Sequence, residues 1–198
     1  DTPLSKLLTT DGRPFPGTEL KIVSPMGDEL PFGEDGELAM RGPQLFVGYL
    51  DRPDLNDAAF LSDGFLRTGD LAHMDSDGYI KMTGRVKDLI IRGGLNISPV
   101  EVEEILTKDP RISNIALAGM PDERLGERIC AFVVLKPGEI LSLTDLAARA
   151  EESGLAKQKW PERLEILPEL PMTPTGKVQR YALKQLISEK LIMESNKS

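Results

Sequence analysis

The chain has 198 residues, of which 40% are hydrophobic and 28% charged, and its net charge is −8. This composition is typical of a globular protein of one or two domains, and the acidic balance argues against general nucleic-acid binding. A single cysteine, Cys130, excludes an internal disulfide and favours a reducing, cytoplasmic location, and no apolar run is long enough to predict a membrane span.

The first 86 residues alternate polar and apolar side chains, with prolines and glycines between the alternating segments. This pattern predicts half-buried strands at 19–23, 37–41, 66–74 and 79–84, and a short helix at 53–60. Residues 75–78 read Asp-Ser-Asp-Gly, which suggests a calcium loop, but Tyr79 stands where the next oxygen ligand is needed. We therefore predict a hairpin turn there. Because so small a meander buries little by itself, we interpret residues 1–86 as the β-rich end of a larger, incomplete domain.

Residues 87–198 alternate strands with helices, which predicts a compact α+β domain and makes the whole chain α+β. The helix after residue 98 begins Ser98-Pro99-Val100-Glu101, a sequence typical of a capping box with proline at the first helical position. The other predicted elements are strands at 89–91, 115–120, 129–135 and 164–167, and helices at 143–152 and 181–191.

Three stretches carry the functional signal, and each has a plain structural interpretation beside it. Asp70, within Phe65–Leu71, could be an ordinary turn residue. In the stretch from Gly84 to Ile90, Lys87 and Asp88 could be an ordinary solvated charge pair. The third stretch, Pro171–Val178, contains Gly-Lys, but a phosphate-binding loop needs glycine where Pro171 stands and serine or threonine where Val178 stands. We predict instead a rigid loop that presents one lysine.

In this order and spacing, together with Gly36-Glu37-Leu38 and Gly48-Tyr49-Leu50, these stretches resemble the adenylate-forming superfamily of acyl-CoA synthetases, peptide-synthetase adenylation domains and firefly luciferases. The resemblance covers nearly the whole chain. It implies an acid–thiol ligase that uses ATP to convert a carboxylic acid into acyl-AMP with release of pyrophosphate, and then transfers the acyl group to CoA. ATP, Mg²⁺ and CoA are the implied cofactors.

The resemblance also implies roles for individual residues. Asp70 would accept from the ribose hydroxyls, Arg85 would donate to the same sugar, and Met82 would line the adenine, although a core methionine is an equal alternative. Lys177 would be the catalytic residue of the first half-reaction, since its ammonium group could stabilise charge that develops between carboxylate and α-phosphate. The alternative is a solvent-facing lysine.

Lys87 resembles the hinge between the large domain and the mobile small one. Rotation about it would withdraw Lys177 and bring Arg92, Gly93 and Gly94 to the site, where glycine would let the pantetheine arm pass close to the backbone. The two glycines could instead form only a turn. No metal ligands are predicted in this chain, because the family's phosphate loop and its nucleotide- and magnesium-binding segment would precede residue 1.

Since those segments and most of the acyl pocket would lie before this chain, in a missing N-terminal domain, we expect a fragment that is inactive alone. Residues 92–98 and 156–161 look most like medium- or short-chain fatty and alicyclic acyl-CoA ligases, which would place the enzyme in fatty acid metabolism. Two alternatives stay open: an enzyme that loads a carrier protein instead of CoA, and a non-catalytic module that binds nucleotide or CoA.

Overall fold

The structure is a computed structural model that describes residues 2–196. Its contacts divide the chain into two compact units, Asp1–Lys87 and Asp88–Ser198. The division falls one residue from the boundary predicted from the sequence. Within the described residues no helix is long and apolar enough to cross a membrane.

The first unit is a four-stranded antiparallel meander in the order β1-β2-β3-β4. Apolar side chains lie on both faces: Ile22, Leu38 and Ala72 form one cluster, and Val23, Ala39 and Phe65 form another. This pattern follows from the two-residue period of a strand, which sends successive side chains to opposite faces. The elements are α1 (Leu4–Thr9), β1 (Glu19–Val23), β2 (Gly36–Arg41), α2 (Pro53–Ala59), β3 (Leu66–Met74) and β4 (Ile80–Arg85).

The predicted turn at 75–78 joins β3 to β4. The Asp75 carboxylate accepts from the backbone N–H groups of Asp77 and Tyr79, and it forms an ion pair with Lys6 at 2.5 Å. Its oxygens are therefore occupied by the turn and by Lys6. The sequence did not predict α1, the helix that carries Lys6, because six residues are too few to show a helical period.

The second unit is a five-stranded sheet in the order β6-β5-β8-β7, with β9 parallel to β8. A short 3₁₀ turn, Val86–Asp88, leads into it. Its elements are β5 (Ile90–Arg92), β6 (Leu95–Ile97), α3 (Pro99–Leu106), β7 (Ile112–Asp122), β8 (Gly126–Leu135), α4 (Leu143–Glu152), β9 (Arg163–Ile166) and α5 (Arg180–Ser195), with a second 3₁₀ turn at Lys157–Lys159.

The β7–β8 hairpin forms the centre of this unit and is buried on both faces. Leu117, Ile129 and neighbouring side chains on one face pack against α3 and α4, whereas Met120 and Phe132 on the other pack against α5. Helices therefore cover both sides of the sheet. This arrangement confirms the predicted α+β class.

The starts of α3 and α4 differ from each other. Ser142 and Asp145 form a complete capping box at α4, with both reciprocal hydrogen bonds present. At α3 the capping box predicted from the sequence is wrong: Ser98 is the N-cap residue, but its side chain makes no capping hydrogen bond. The Glu101 carboxylate, the other member of the predicted box, forms an ion pair with Lys159 at 2.5 Å.

Candidate functional site

Asp70 and Arg85 lie directly opposite each other in the β3–β4 ladder. Arg85 Nε donates to Asp70 Oδ1 at 2.9 Å. The Asp70 side chain is 30% exposed and that of Arg85 is 49% exposed, so both groups are accessible from solvent. The structure therefore brings together the hydrogen-bond acceptor and the donor that the sequence predicted for a ribose.

A bulge in β3 presents Asp70, and Glu37 on β2 fixes that bulge. The β2–β3 register shifts between Glu37 and Ala39, and Gly69 has a φ of +74°, a conformation that side-chain-bearing residues rarely adopt. Glu37 Oε2 accepts from Arg67 Nη1 at 2.5 Å, and Oε1 accepts from the Gly69 N–H at 3.1 Å. Sequence reasoning assigned no role to Glu37, although its Gly36-Glu37-Leu38 segment was part of the recognised pattern.

Met82 lies opposite Ala72 in the same ladder. Its side chain is partly buried against the cluster formed by Ile22, Leu38 and Ala72. This packing is what a core methionine would show, and a place beside adenine stays a prediction.

Lys87 is exposed in the 3₁₀ turn Val86–Asp88, at the point where the two units divide. A short turn of this kind can absorb a change in backbone angles without disturbing a helix or a strand. The hinge role stays a prediction.

Arg92, Gly93 and Gly94 form the tight connection between β5 and β6. Gly93 and Gly94 both have positive φ, +58° and +85°, and nothing lies within 4 Å of where a Gly94 side chain would begin. The Arg92 guanidinium forms a two-point ion pair with Glu162, at 2.9 and 3.0 Å. Sequence reasoning missed Glu162, because 70 positions separate the two residues. The backbone of this turn is therefore open to an approaching chain at Gly94, whereas Gly93 lies against Leu125 and Arg92 is held by Glu162.

Lys177 stands on an exposed loop that is fixed by its own backbone. The Thr173 N–H donates to the Lys177 carbonyl at 2.8 Å, and the Lys177 N–H donates to Thr173 Oγ1 at 3.0 Å. Within residues 2–196, no ion pair or hydrogen bond engages the Lys177 ammonium group. The loop therefore presents a cation without a counter-charge, as the sequence predicted.

The described part of the chain contains no group of three or more histidine, cysteine, aspartate or glutamate side chains that could hold a metal ion. Asp70, at the predicted ribose contact, has Arg85 as its partner. Because Mg²⁺ at nucleotide sites takes most of its ligands from phosphate oxygens and water, residues 2–196 need not supply a closed set of protein ligands.

Comparison with known proteins agrees with the resemblance seen in the sequence. Residues 2–50 match the family described as AMP-binding enzyme, and residues 101–177 match the AMP-binding enzyme C-terminal domain. A medium-chain fatty-acid–CoA ligase of Escherichia coli (strain K12) is 46% identical over 195 residues, which are 98% of this chain and 34% of the ligase.

Two further proteins extend the comparison. A 2-hydroxy-7-methoxy-5-methyl-1-naphthoate–CoA ligase of Streptomyces carzinostaticus is 44% identical, over 93% of this chain and 33% of that protein. The crystal structure of ATP-bound MatB from Rhodopseudomonas palustris superposes with a TM-score of 0.84 and 34% identity, over 89% of this chain and 35% of MatB.

This chain thus spans about a third of the length of the curated relatives that it matches. The AMP-binding enzyme match lies in the first unit, and the match to the C-terminal domain lies in the second. The chain belongs to the AMP-binding enzyme family and carries that family's C-terminal domain.

Proposed function

We propose that the protein to which this chain belongs is an AMP-forming acyl-CoA ligase. In its first half-reaction a carboxylate oxygen bonds to the α-phosphorus of ATP while the bond to the β-phosphate oxygen breaks, which releases pyrophosphate. In the second, the CoA sulfur bonds to the acyl carbon, the bond from that carbon to the AMP oxygen breaks, and the thiol proton is lost to solvent. The products are acyl-CoA and AMP.

The observation that carries this proposal is the Asp70–Arg85 pair. A ribose diol presents two hydroxyls that can each donate and accept, so a carboxylate beside a guanidinium matches it. Each group is accessible, and their 2.9 Å contact can be exchanged for contacts to the sugar. Because hydrogen bonds to charged groups contribute about 1.5–3 kcal/mol each, the pair could supply much of the nucleotide's orientation.

Lys177 is the proposed catalytic residue of adenylate formation. Negative charge accumulates on the oxygens around the α-phosphorus in the transition state, and an ammonium group with no partner of its own can stabilise that charge. The hydrogen bonds between Thr173 and Lys177 hold the backbone of this loop, and so the base of the Lys177 side chain, in place before the substrate arrives.

Lys87 is the proposed hinge about which the second unit moves between the half-reactions. In the thioester-forming state, the turn at Gly93 and Gly94, whose backbone is open at Gly94, is the proposed contact for the pantetheine arm of CoA, beside Arg92. Magnesium is proposed to enter bound to the ATP phosphates. A further AMP-binding segment of the same protein is proposed to complete the site in cis.

A medium-chain fatty acid is the proposed carboxylic acid, with a role in fatty acid metabolism in the cytoplasm. The support for it is the 46% identity to the Escherichia coli medium-chain fatty-acid–CoA ligase. A pyrophosphate-exchange screen with acids of four to twelve carbons, run on the full-length protein, tests this assignment. Exchange with aromatic acids alone would overturn it.

The decisive experiment measures the two half-reactions separately in the full-length Lys177→Ala variant. We expect acyl-AMP formation to fall by about 10²–10³, the usual effect of removing one donor that stabilises transition-state charge. Thioester formation from pre-made acyl-AMP should persist. Lys157→Ala, which removes another exposed lysine of the second unit, is the matched control and should leave both rates unchanged. Normal acyl-AMP formation in Lys177→Ala would refute the catalytic assignment.

A further inference from the structure

Arg180 is the first residue of α5 and lies three positions after Lys177. Its side chain is only 14% exposed, so its charge must be compensated within the protein. The guanidinium binds both oxygens of the Glu103 carboxylate: Nη1 donates to Oε1, and Nη2 donates to Oε2 at 2.8 Å. Two parallel bonds of this kind fix the orientation of a guanidinium as well as its position.

The contact between Arg180 and Glu103 joins three elements of the second unit. Glu103 lies on α3, and Arg180 Nη1 also donates to the carbonyl of Leu117 on β7 at 2.8 Å. The Leu117 N–H in turn donates to Glu103 Oε1 at 2.6 Å. Two side chains and one backbone residue therefore form a closed group that ties the start of α5 to α3 and to the central hairpin. We call it the Arg180 cluster.

The Lys177 loop depends on anchors at its two ends. Its internal hydrogen bonds join Thr173 to Gly176 and Lys177, which makes the loop stiff but does not place it on the unit. On one side the chain enters from Leu170, which is buried in the core beneath α5. On the other it leaves through Arg180. The Arg180 cluster is therefore a polar anchor to the rest of the unit, three residues after Lys177.

The same guanidinium also reaches the beginning of the second unit. Arg180 Nε lies 3.6 Å from Asp88 Oδ2, and Asp88 ends the 3₁₀ turn that contains Lys87. One arginine thus interacts electrostatically with the residue after the proposed hinge and anchors the loop of the proposed catalytic lysine.

We propose that Arg180 is a positioning residue for adenylate formation: through Glu103 and Leu117 it sets the place of the Lys177 loop, and through Asp88 it ties that loop to the hinge. This inference rests on the proposed function of Lys177. A displacement of about 1 Å at a catalytic group can cost on the order of 10²-fold in rate, so a positioning residue can have a large effect without touching substrate.

The test uses the full-length protein with Arg180→Lys, which keeps the charge but loses the two-point geometry, and with Arg180→Gln. We expect acyl-AMP formation to fall about tenfold in Arg180→Lys and on the order of 10²-fold in Arg180→Gln, mainly in kcat. Thioester formation from pre-made acyl-AMP should change less than threefold in both. If Arg180→Gln fails to fold because Glu103 is left buried without a counter-charge, Arg180→Lys alone decides the outcome.

Arg163→Gln provides the matched control. Arg163 is 23% exposed and forms ion pairs with Glu165 and Glu194, which tie β9 to α5 in the same unit but away from the Lys177 loop. The Arg163→Gln variant should lower the melting temperature at least as much as Arg180→Lys does, but it should leave the rate of acyl-AMP formation unchanged. An equal loss of acyl-AMP formation in the control would mean that destabilised packing alone explains the effect, and the positioning role would be wrong.

A double variant separates this inference from the proposed function. If Arg180 acts through Lys177, adding Arg180→Lys to Lys177→Ala should lower the rate by less than twofold more, because the group being positioned is already gone. If Arg180→Lys lowers the rate of Lys177→Ala by a further tenfold, as it does in the wild-type protein, the positioning role is wrong. If Lys177→Ala has the normal rate, the proposed catalytic role of Lys177 fails. If only Lys177→Ala is slow and both Arg180 variants are normal, the positioning inference alone fails.

Discussion

Glu37→Gln tests how the proposed nucleotide-binding edge of the first unit is built. The Glu37 side chain is 12% exposed, and its two oxygens accept from Arg67 Nη1 and from the Gly69 N–H. Glutamine keeps one carbonyl oxygen and replaces the other oxygen with an NH₂ group. If the carbonyl stays on Gly69, the NH₂ group faces the Arg67 guanidinium, so two donors meet and the charge attraction is lost.

The magnitude follows from these contacts. A hydrogen bond to a charged group contributes about 1.5–3 kcal/mol, and the Pro25 carbonyl, at 3.1 Å from Arg67 Nη2, still holds the guanidinium. We therefore expect the free energy that keeps the bulge closed to fall by about 2 kcal/mol. The equilibrium constant for opening the bulge then rises by a factor of roughly 30. Because the bulge presents Asp70, the affinity of the full-length enzyme for ATP should fall, by at most the same factor.

Amide hydrogen exchange on peptides covering residues 67–71 measures the opening directly. Exchange there should accelerate roughly 30-fold, while exchange in the β7–β8 hairpin should not change. Glu34→Gln, a neutralisation of an exposed carboxylate on the same unit, is the control. Unchanged exchange at 67–71 together with an unchanged KM for ATP would refute the role of Glu37.

Three further outcomes are expected. The 198-residue chain alone should form no thioester from a fatty acid, ATP and CoA, since it spans about a third of its relatives; a thioester detected by mass spectrometry would contradict this. In the full-length enzyme Lys87→Pro, which fixes φ near −65°, should impair one half-reaction far more than the other, and an equal loss of both would argue against a hinge. Burial raises the pKa of the Cys130 thiol to about 12, so the folded protein keeps this proton when the unfolded chain loses it. The contribution of Cys130 to stability should therefore be complete below about pH 9 and fall as the pH rises toward 12; urea midpoints that fall as steeply in Cys130→Ala would refute this cause.

The sequence alone determined most of the secondary structure and the family. Proline and glycine punctuate the first unit at short intervals, and two-residue alternation marks its strands, so the meander could be predicted from local pattern. The Ser142–Asp145 cap also follows from local sequence, since both partners lie within one helical turn. The exposed Lys177 loop could be predicted for the same reason, because its hydrogen bonds all join near neighbours.

Tertiary structure decided where the charged side chains go. Asp70 meets Arg85 only because the β3–β4 register aligns them, and a shift of one residue would send each side chain to the opposite face. Arg92 finds Glu162 across 70 positions, and Arg180 finds Glu103 across 77. Glu101 pairs with Lys159 across 58 positions. Long charged side chains select partners in space, and a pattern read along the chain contains no information about which distant residue folding brings within 3 Å.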